Sequence, residues 1–191
     1  MDTKTEILNH TERAARTKGY NGFSFDHIAR NVGIQKASMY HHFSSKSDLI
    51  RALFQRYSAM ISGALDAIDI EEDRAGNRLL GYIREVRSLL EGGSSICLSI
   101  ALGIEHESLE AEILDDLNAF HVMNVDWLEE TFKLGQYDGS IANVGDPRAE
   151  ALACLALIDG AQIMARSHKD AVLFDRATAQ FCTRISSTAV N

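Results

Sequence analysis

Proline is almost missing from this chain: Pro147 is the only one in 191 residues. Few positions are therefore barred from helix by a ring that fixes φ and removes a donor. Cysteine is scarce too. Cys97, Cys154 and Cys182 lie far apart, are odd in number and form no C-x-x-C pair. That excludes a disulfide framework and a structural zinc site and fits a reducing compartment. Long apolar runs are also missing, since stretches such as Ile96 to Ile104 fall far short of the roughly 20 residues a membrane span needs. The first 18 residues carry Lys4, Arg13, Arg16, Lys18, Asp2, Glu6 and Glu12 where a secretory signal would have an apolar block. No segment sustains the alternation of a half-buried strand. These absences together predict a soluble, cytoplasmic, all-α protein without a membrane partner.

Apolar residues make up 46% of the chain, enough to bury a core of domain size. Charge is unevenly spread. Residues 1–60 hold nine Lys/Arg against five Asp/Glu, a net of +4, whereas the remainder holds ten against twenty-two, a net of −12. His10, His27, His41 and His42, four of the seven histidines, also lie in the basic part. A positive end on an acidic body suits a protein that meets a polyanion with one end only.

Helix signals are dense in that basic part. Thr3 and Glu6 have capping-box spacing and open a first helix that ends at Lys18, before Gly19. Ser24 is the expected N-cap of a second helix over 26–31 or 32, with Gly33 where a C-terminal cap needs left-handed geometry. A third covers 36–42, and a fourth starts near Lys46, with Ser45 and Asp48 again at capping-box spacing, and runs to about Ile68. Helix, glycine-containing turn, helix is a helix-turn-helix. Ile28, Ala29, Val32, Ile34, Met39 and Phe43 are its expected core, leaving Lys36, Ala37, Ser38, Tyr40, His41 and His42 on or near the outer face of the third helix.

Adjacent histidines on a helix point about 100° apart, so His41 and His42 do not form the i, i+4 pair that metal sites on one helix face use. Neither has a nucleophile or an orienting carboxylate nearby in sequence. Contact with DNA fits them better. Ser38, Tyr40, His42 and Lys46 can donate to phosphate oxygens, Lys36 can reach phosphates or guanine edges, and Ala37 is small enough to sit close to the bases. Free N–H groups at the start of the fourth helix would meet a phosphate from a second direction.

The segment "GYNGFSFDHIARNVGIQKASMYHHFSSKSDLI" resembles the DNA-binding region of the TetR family of bacterial transcriptional repressors. The likeness covers about residues 7 to 54, and "YHHF" followed by "SK" after such a turn carries most of it. It implies that Lys36, Ala37, Ser38, Tyr40 and His41 meet base edges or phosphates, that His42 and Lys46 clamp the backbone, and that Phe43 is core. Two departures stand out: Ala14-Ala15 where the family usually has a bulky apolar pair, and Gln35 where Ser is common. The resemblance also implies a division into a helix-turn-helix domain, 1–50, and a helical effector-binding and dimerisation domain, 51–191, joined by the long fourth helix.

Beyond residue 70 helices are predicted over 74–91, 95–105, 109–134, 146–168 and 170–187, with breaks at Gly92-Gly93, from Gly135 to Gly145 and around 167–168. Asp146-Pro147 marks a helix start, since proline suits the first turn. On the 109–134 helix one face collects Ile113, Leu114, Leu117, Phe120, His121, Asn124, Trp127, Leu128, Thr131 and Phe132. Two readings of His121 and Asn124 stay open, partners inside the core or the lining of a ligand cavity. Cys97, Ile100, Phe120, His121, Asn124, Trp127 and Leu128 are the candidate ligand residues. Ala153, Ala156, Gly160 and Ala161, with Leu173, Ala177, Phe181 and Ile185 on the last helix, suggest a homodimer interface, with burial inside one chain as the competing reading. The expectation is a ligand-responsive regulator, most simply a repressor, that binds a palindromic double-stranded operator as a homodimer and is released by a small, largely apolar or aromatic effector. No nucleophile elbow, phosphate loop or metal spacing is present, so neither enzymatic activity nor a cofactor is expected. The alternative is a helical small-molecule-binding protein or enzyme using the C-terminal cavity, with Cys97 as an electrophile or redox sensor.

Overall fold

The structure is a computed structural model that describes residues 2–185. Among these residues the chain forms nine α-helices: α1 (Thr3–Lys18), α2 (Phe25–Val32), α3 (Lys36–His42), α4 (Lys46–Glu71), α5 (Ala75–Ser88), α6 (Leu98–Gly103), α7 (Ala111–Asp138), α8 (Pro147–His168) and α9 (Val172–Cys182). Short 3-10 turns at Glu91–Gly93 and His106–Ser108 flank α6. Apart from one isolated bridge between Ile141 and Ile185, no β-structure occurs among the described residues. No helix there is long and apolar enough to cross a membrane.

Most helix ends follow local chemistry. The Ser24 hydroxyl accepts from the His27 N–H at 3.3 Å, and Gly33 closes α2 at φ +79°, ψ +27°, a conformation that costs glycine nothing. Asp146 caps α8 by accepting from the Ala149 N–H at 3.0 Å, with Pro147 in the first turn. The start of α1 differs from the expected Thr3–Glu6 box. Asp2 is the cap, taking the Thr5 N–H and the Thr5 hydroxyl, each at 3.0 Å. Asp2-x-x-Thr5 and Thr3-x-x-Glu6 are offset by one residue, and the carboxylate, with two acceptor oxygens, takes the site.

Gly135 does not end its helix. α7 continues through it to Asp138 because the bare Cα makes room for Ile141, whose side chain would lie 3.0 Å from an added Cβ. The last helix stops earlier than expected. After Cys182 the chain turns, and Arg184 reaches Glu150 at 2.8 and 2.9 Å and the Ala142 and Asn143 carbonyls at 3.1 Å each; the end expected at 187 lies outside the described residues.

The chain divides into two compact units, residues 2–60 with 95–120 and residues 61–94 with 121–185. The first buries Ile7 and Ala15 of α1, Ile28 and Ala29 of α2, Met39 of α3, Leu49, Leu53 and Phe54 of α4, and Leu98 and Leu102 of α6. It also buries a cation: the Arg16 Nε donates to the Ile96 carbonyl at 2.9 Å, and its guanidinium lies 3.4 Å from Glu12, which also receives Arg56 at 2.9 Å. Paired and hydrogen-bonded, that charge escapes the penalty of an isolated one. The second unit packs α5, α8, α9 and the distal part of α7 around Leu79, Leu90, Leu128, Phe132, Cys154, Ile158 and Phe174.

Candidate nucleic-acid interface

α2 and α3 meet across the Gly33 turn, with Ile28, Ala29, Met39 and Phe43 buried beneath them. Val32 and Ile34, expected in that core, are only half-buried. What α3 turns outward is the expected row. Lys36, Ala37, Tyr40, His41 and His42 are exposed and Ser38 is half-buried. Tyr40 is 54% exposed, yet its ring is propped against Phe25 with centroids 5.2 Å apart. A ring held on one side and wet on the other presents its hydroxyl from a fixed base. Lys36 lies 3.2 Å from the Asp26 carboxylate, both side chains more than half exposed. No hydrogen bond among the described residues engages the imidazole of His41 or His42.

Lys46 sits differently from its neighbours. Its ammonium donates to the Phe23 carbonyl at 2.8 Å and lies over the rings of Tyr20 and Phe23 at 4.3 and 4.5 Å. Burial lowers its pKa. One of its three N–H donors thus ties the start of α4 to the loop before α2, and the aromatic faces add cation–π attraction. At the same helix end the Ser45 hydroxyl accepts from the Asp48 N–H at 3.0 Å and the Ser44 hydroxyl donates to the Asp48 carboxylate. Those bonds, Ser44 first, hold the Asp48 carboxyl below its ordinary range. An acid of the chain itself thus complements the dipole at this helix end.

The candidate ligand residues fall into two aromatic nodes, one in each unit. In the first unit, buried Tyr57 donates to Cys97 Sγ at 3.1 Å, Ser99 Oγ lies 3.0 Å from that sulfur, and Phe120 packs on Tyr57 and Phe54 at 6.0 and 5.5 Å. Burial raises the Tyr57 phenol well above its usual range. Ile100 is buried in the same unit, and Cys97 is the N-cap of α6. In the second unit, Tyr82 donates to the Asn124 amide oxygen at 3.3 Å and stacks on Trp127 at 5.6 Å. The Trp127 indole N–H donates to Asp69 at 3.0 Å. Leu128 is fully buried, and half-burial lowers the pKa of His121. Tyr57, Tyr82 and Asp69, which complete these nodes, carry no local sequence signal; each is a long-range partner. Among the described residues no group of three or more His, Cys, Asp or Glu could hold a metal ion.

Comparison with known proteins agrees with this geometry. Residues 7–53 match the family model described as bacterial regulatory proteins, tetR family. Over 46 residues the chain is 41% identical to IcaR of Staphylococcus aureus, the HTH-type negative transcriptional regulator of the biofilm operon icaADBC, covering 24% of this chain and 25% of IcaR. Over 115 residues it is 27% identical to YvaF of Bacillus subtilis, an uncharacterized HTH-type transcriptional regulator, covering 60% of this chain and 52% of YvaF. The chain thus spans a quarter to about half the length of these curated relatives. The likeness to a crystal structure of a TetR-family transcriptional regulator from Agrobacterium tumefaciens extends much further, with 28% identity, a TM-score of 0.91 and coverage of 97% and 98% of the two chains. A matching helix-turn-helix segment, continued by the same helical architecture over nearly the whole length, places this chain in the tetR family of bacterial regulatory proteins.

Proposed function

We propose that the protein represses transcription by binding a palindromic operator as a homodimer, and that a small, largely apolar or aromatic effector releases it. The observation that carries the reading is the outer face of α3: Ala37, Tyr40, His41 and His42 are exposed, and Lys36 is ion-paired to an exposed carboxylate. Such a helix reads base edges in the major groove while α2 crosses the backbone. Lys36 and Ser38 contact bases, and Tyr40, His41 and His42 contact phosphates or neighbouring base edges. Lys46, with Phe23 holding one donor, has two left for a phosphate and also keeps the loop before α2 in place. Repression follows the negative regulation named for IcaR.

Dimerisation is supported by α8. Its inner stripe of Ala151, Cys154, Ile158, Ala161 and Ala165 is buried, while Leu152, Ala153, Ala156, Ile163 and Met164 on other faces are exposed. A second copy would cover those residues, and space beside Gly160 permits close approach. The two reading helices of such a dimer lie about one turn of DNA, roughly 34 Å, or a multiple apart. The effector reading is supported by the second-unit node, where Tyr82 and Trp127 offer aromatic faces and Asn124 a polar group to orient a ligand.

The test is gel-shift titration of genomic fragments at several salt concentrations. Tyr40→Ala should weaken binding to every duplex about tenfold or more, since a hydrogen bond to a charged group is worth about 1.5–3 kcal/mol. Ser38→Ala should alter base preference. Unchanged affinity in Tyr40→Ala overturns the assignment of α3 as the reading helix.

A further inference from the structure

We propose that the cleft between α1 and α2 is a phosphate-binding site separate from the α3 row. The cleft has a volume of about 350 Å³ and is lined by His10, Arg13, Ala14, Thr17 and Lys18 of α1 and by His27 and Asn31 of α2. No residue of α3 or α4 lines it. The α1 residues follow one another at i, i+3, i+4, i+7 and i+8, and His27 and Asn31 at i, i+4, so two helix faces close on a single space.

The lining contains four basic residues and no carboxylate. Of the acids nearby in sequence, Glu12 is committed to Arg16 and Arg56, Asp26 to Lys36 and Asp2 to the start of α1, while Glu6, one turn before His10, lies outside the lining. No hydrogen bond or ion pair among the described residues engages the side chains of His10, Arg13, Lys18, His27 or Asn31. The Thr17 hydroxyl is turned back to the Arg13 carbonyl at 2.6 Å, and buried Ala14 lies between the basic groups. An Arg, a Lys and two imidazoles, unpaired around a concave space, match an anion with several acceptor oxygens. The volume lies at the lower end of the range for small-ligand sites.

A phosphate can reach this cleft from two sources. One is the backbone of bound DNA, since α2 is the helix that crosses the backbone in this motif; only this source rests on the DNA-binding reading. The other is a free phosphorylated molecule. Full-length wild-type protein is compared with Arg13→Gln/Lys18→Gln, with Asn31→Asp, which adds a carboxylate to the cleft while keeping both cations, and with a charge-matched control, Lys169→Gln/Arg176→Gln. Two readouts are taken: the slope of log affinity against log salt on a selected duplex extended by about ten base pairs on each side, and the melting temperature with millimolar inorganic pyrophosphate.

If the backbone is the source, the double variant lowers the slope by about 2 relative to the control, at roughly 0.9 per phosphate contact, and Asn31→Asp weakens binding in the same direction. If the source is free phosphate, pyrophosphate raises the melting temperature of wild type and control, and both cleft variants lose that shift. Slopes equal to the control together with no pyrophosphate shift overturn the proposal. Should the double variant fail to fold, Asn31→Asp decides alone on the same readouts. Failure of the wild type to bind any duplex in low salt overturns the regulator reading instead, and the pyrophosphate measurement then decides the cleft.

Discussion

Where the first unit leaves Lys36, His41 and His42 facing solvent, the second leaves Leu152, Ile163 and Met164. Both surfaces are unsatisfied, in opposite chemical senses. A row of hydrogen-bond donors with one lysine gains by meeting phosphates and releasing their counterions. An apolar stripe gains by meeting another apolar surface, whether its own copy or a partner, and rising salt does not screen that gain as it screens the first. Charge divides along the sequence and not by unit: residues 1–60 carry +4, residues 95–120 of the same unit carry −6, and the rest of the chain carries −6. In the proposed dimer, two copies joined through α8 present two α3 faces to one duplex.

The largest effect is expected from breaking the apolar side of that comparison. Leu152→Glu/Ile163→Glu places two carboxylates on the exposed stripe, where a buried partner surface would have to desolvate them. Sedimentation should show a monomer, and operator affinity should fall by about a hundredfold or more as two linked contacts become one. A variant that stays dimeric removes α8 from the interface.

The two units should agree, by contrast, in their cores. Phe54 in the first and Phe132 in the second are both fully buried. Truncating either to alanine should cost about 3–5 kcal/mol in urea unfolding. A cost below about 1 kcal/mol for either would mark that unit as loosely packed.

A smaller effect separates an acid on α8 from those on the surface. Burial pushes the Asp159 carboxyl up to about 6 from its ordinary 3.8, and Gln162 offers it only a long contact at 3.4 Å. A carboxyl whose pKa is higher in the folded state holds its proton more tightly there than in the unfolded chain. The contribution of Asp159 to stability is therefore greatest below pH 3.8, falls as pH rises from 3.8 to 6, and levels above. Asp159→Asn should stabilise the protein at pH 7 by up to about 3 kcal/mol and by almost nothing at pH 3.5. Equal stabilisation at both pH values would assign the effect to something other than titration.

What could be read in the sequence was what local chemistry decides. The end of α1 at Lys18, the Ser24 cap, the Gly33 turn and the Pro147 start each depend on residues within four positions of one another. The outward row on α3 was legible for the same reason, because seven helical residues fix which side chains share a face. Local signals failed where two of them competed, as with Asp2 and Thr3, or where a glycine served packing instead of a turn, as Gly135 does under Ile141. Contacts across the fold were beyond reach. Nothing near Asn124 announces Tyr82, forty-two positions away, and nothing near Lys46 announces the Phe23 carbonyl that accepts its hydrogen bond. His10, Arg13, Thr17 and Lys18 recur at helical spacing, but nothing local singles out that face of α1. Its meaning depends on α2 closing over it, which only the folded chain shows.

The smallest effect tests the cationic side of the comparison at one contact. In the free protein Lys36 is paired with Asp26 across the helix-turn-helix, with side chains 52% and 56% exposed. An ion pair so wet is worth about 0–1 kcal/mol, and Asp26 adds a little more by sitting in the first turn of α2, where a negative charge is favourable. Asp26→Asn should therefore lower stability by less than about 1 kcal/mol. DNA affinity should move the other way. Lys36 would no longer have to leave a carboxylate to reach the duplex, and one negative charge would be gone from a surface that faces phosphates. A several-fold gain in affinity at low salt, shrinking as salt rises, is the expected signature. Should affinity fall while stability holds, Asp26 is instead the group that aims Lys36 at its base, and the exposed pair belongs to the reading surface itself.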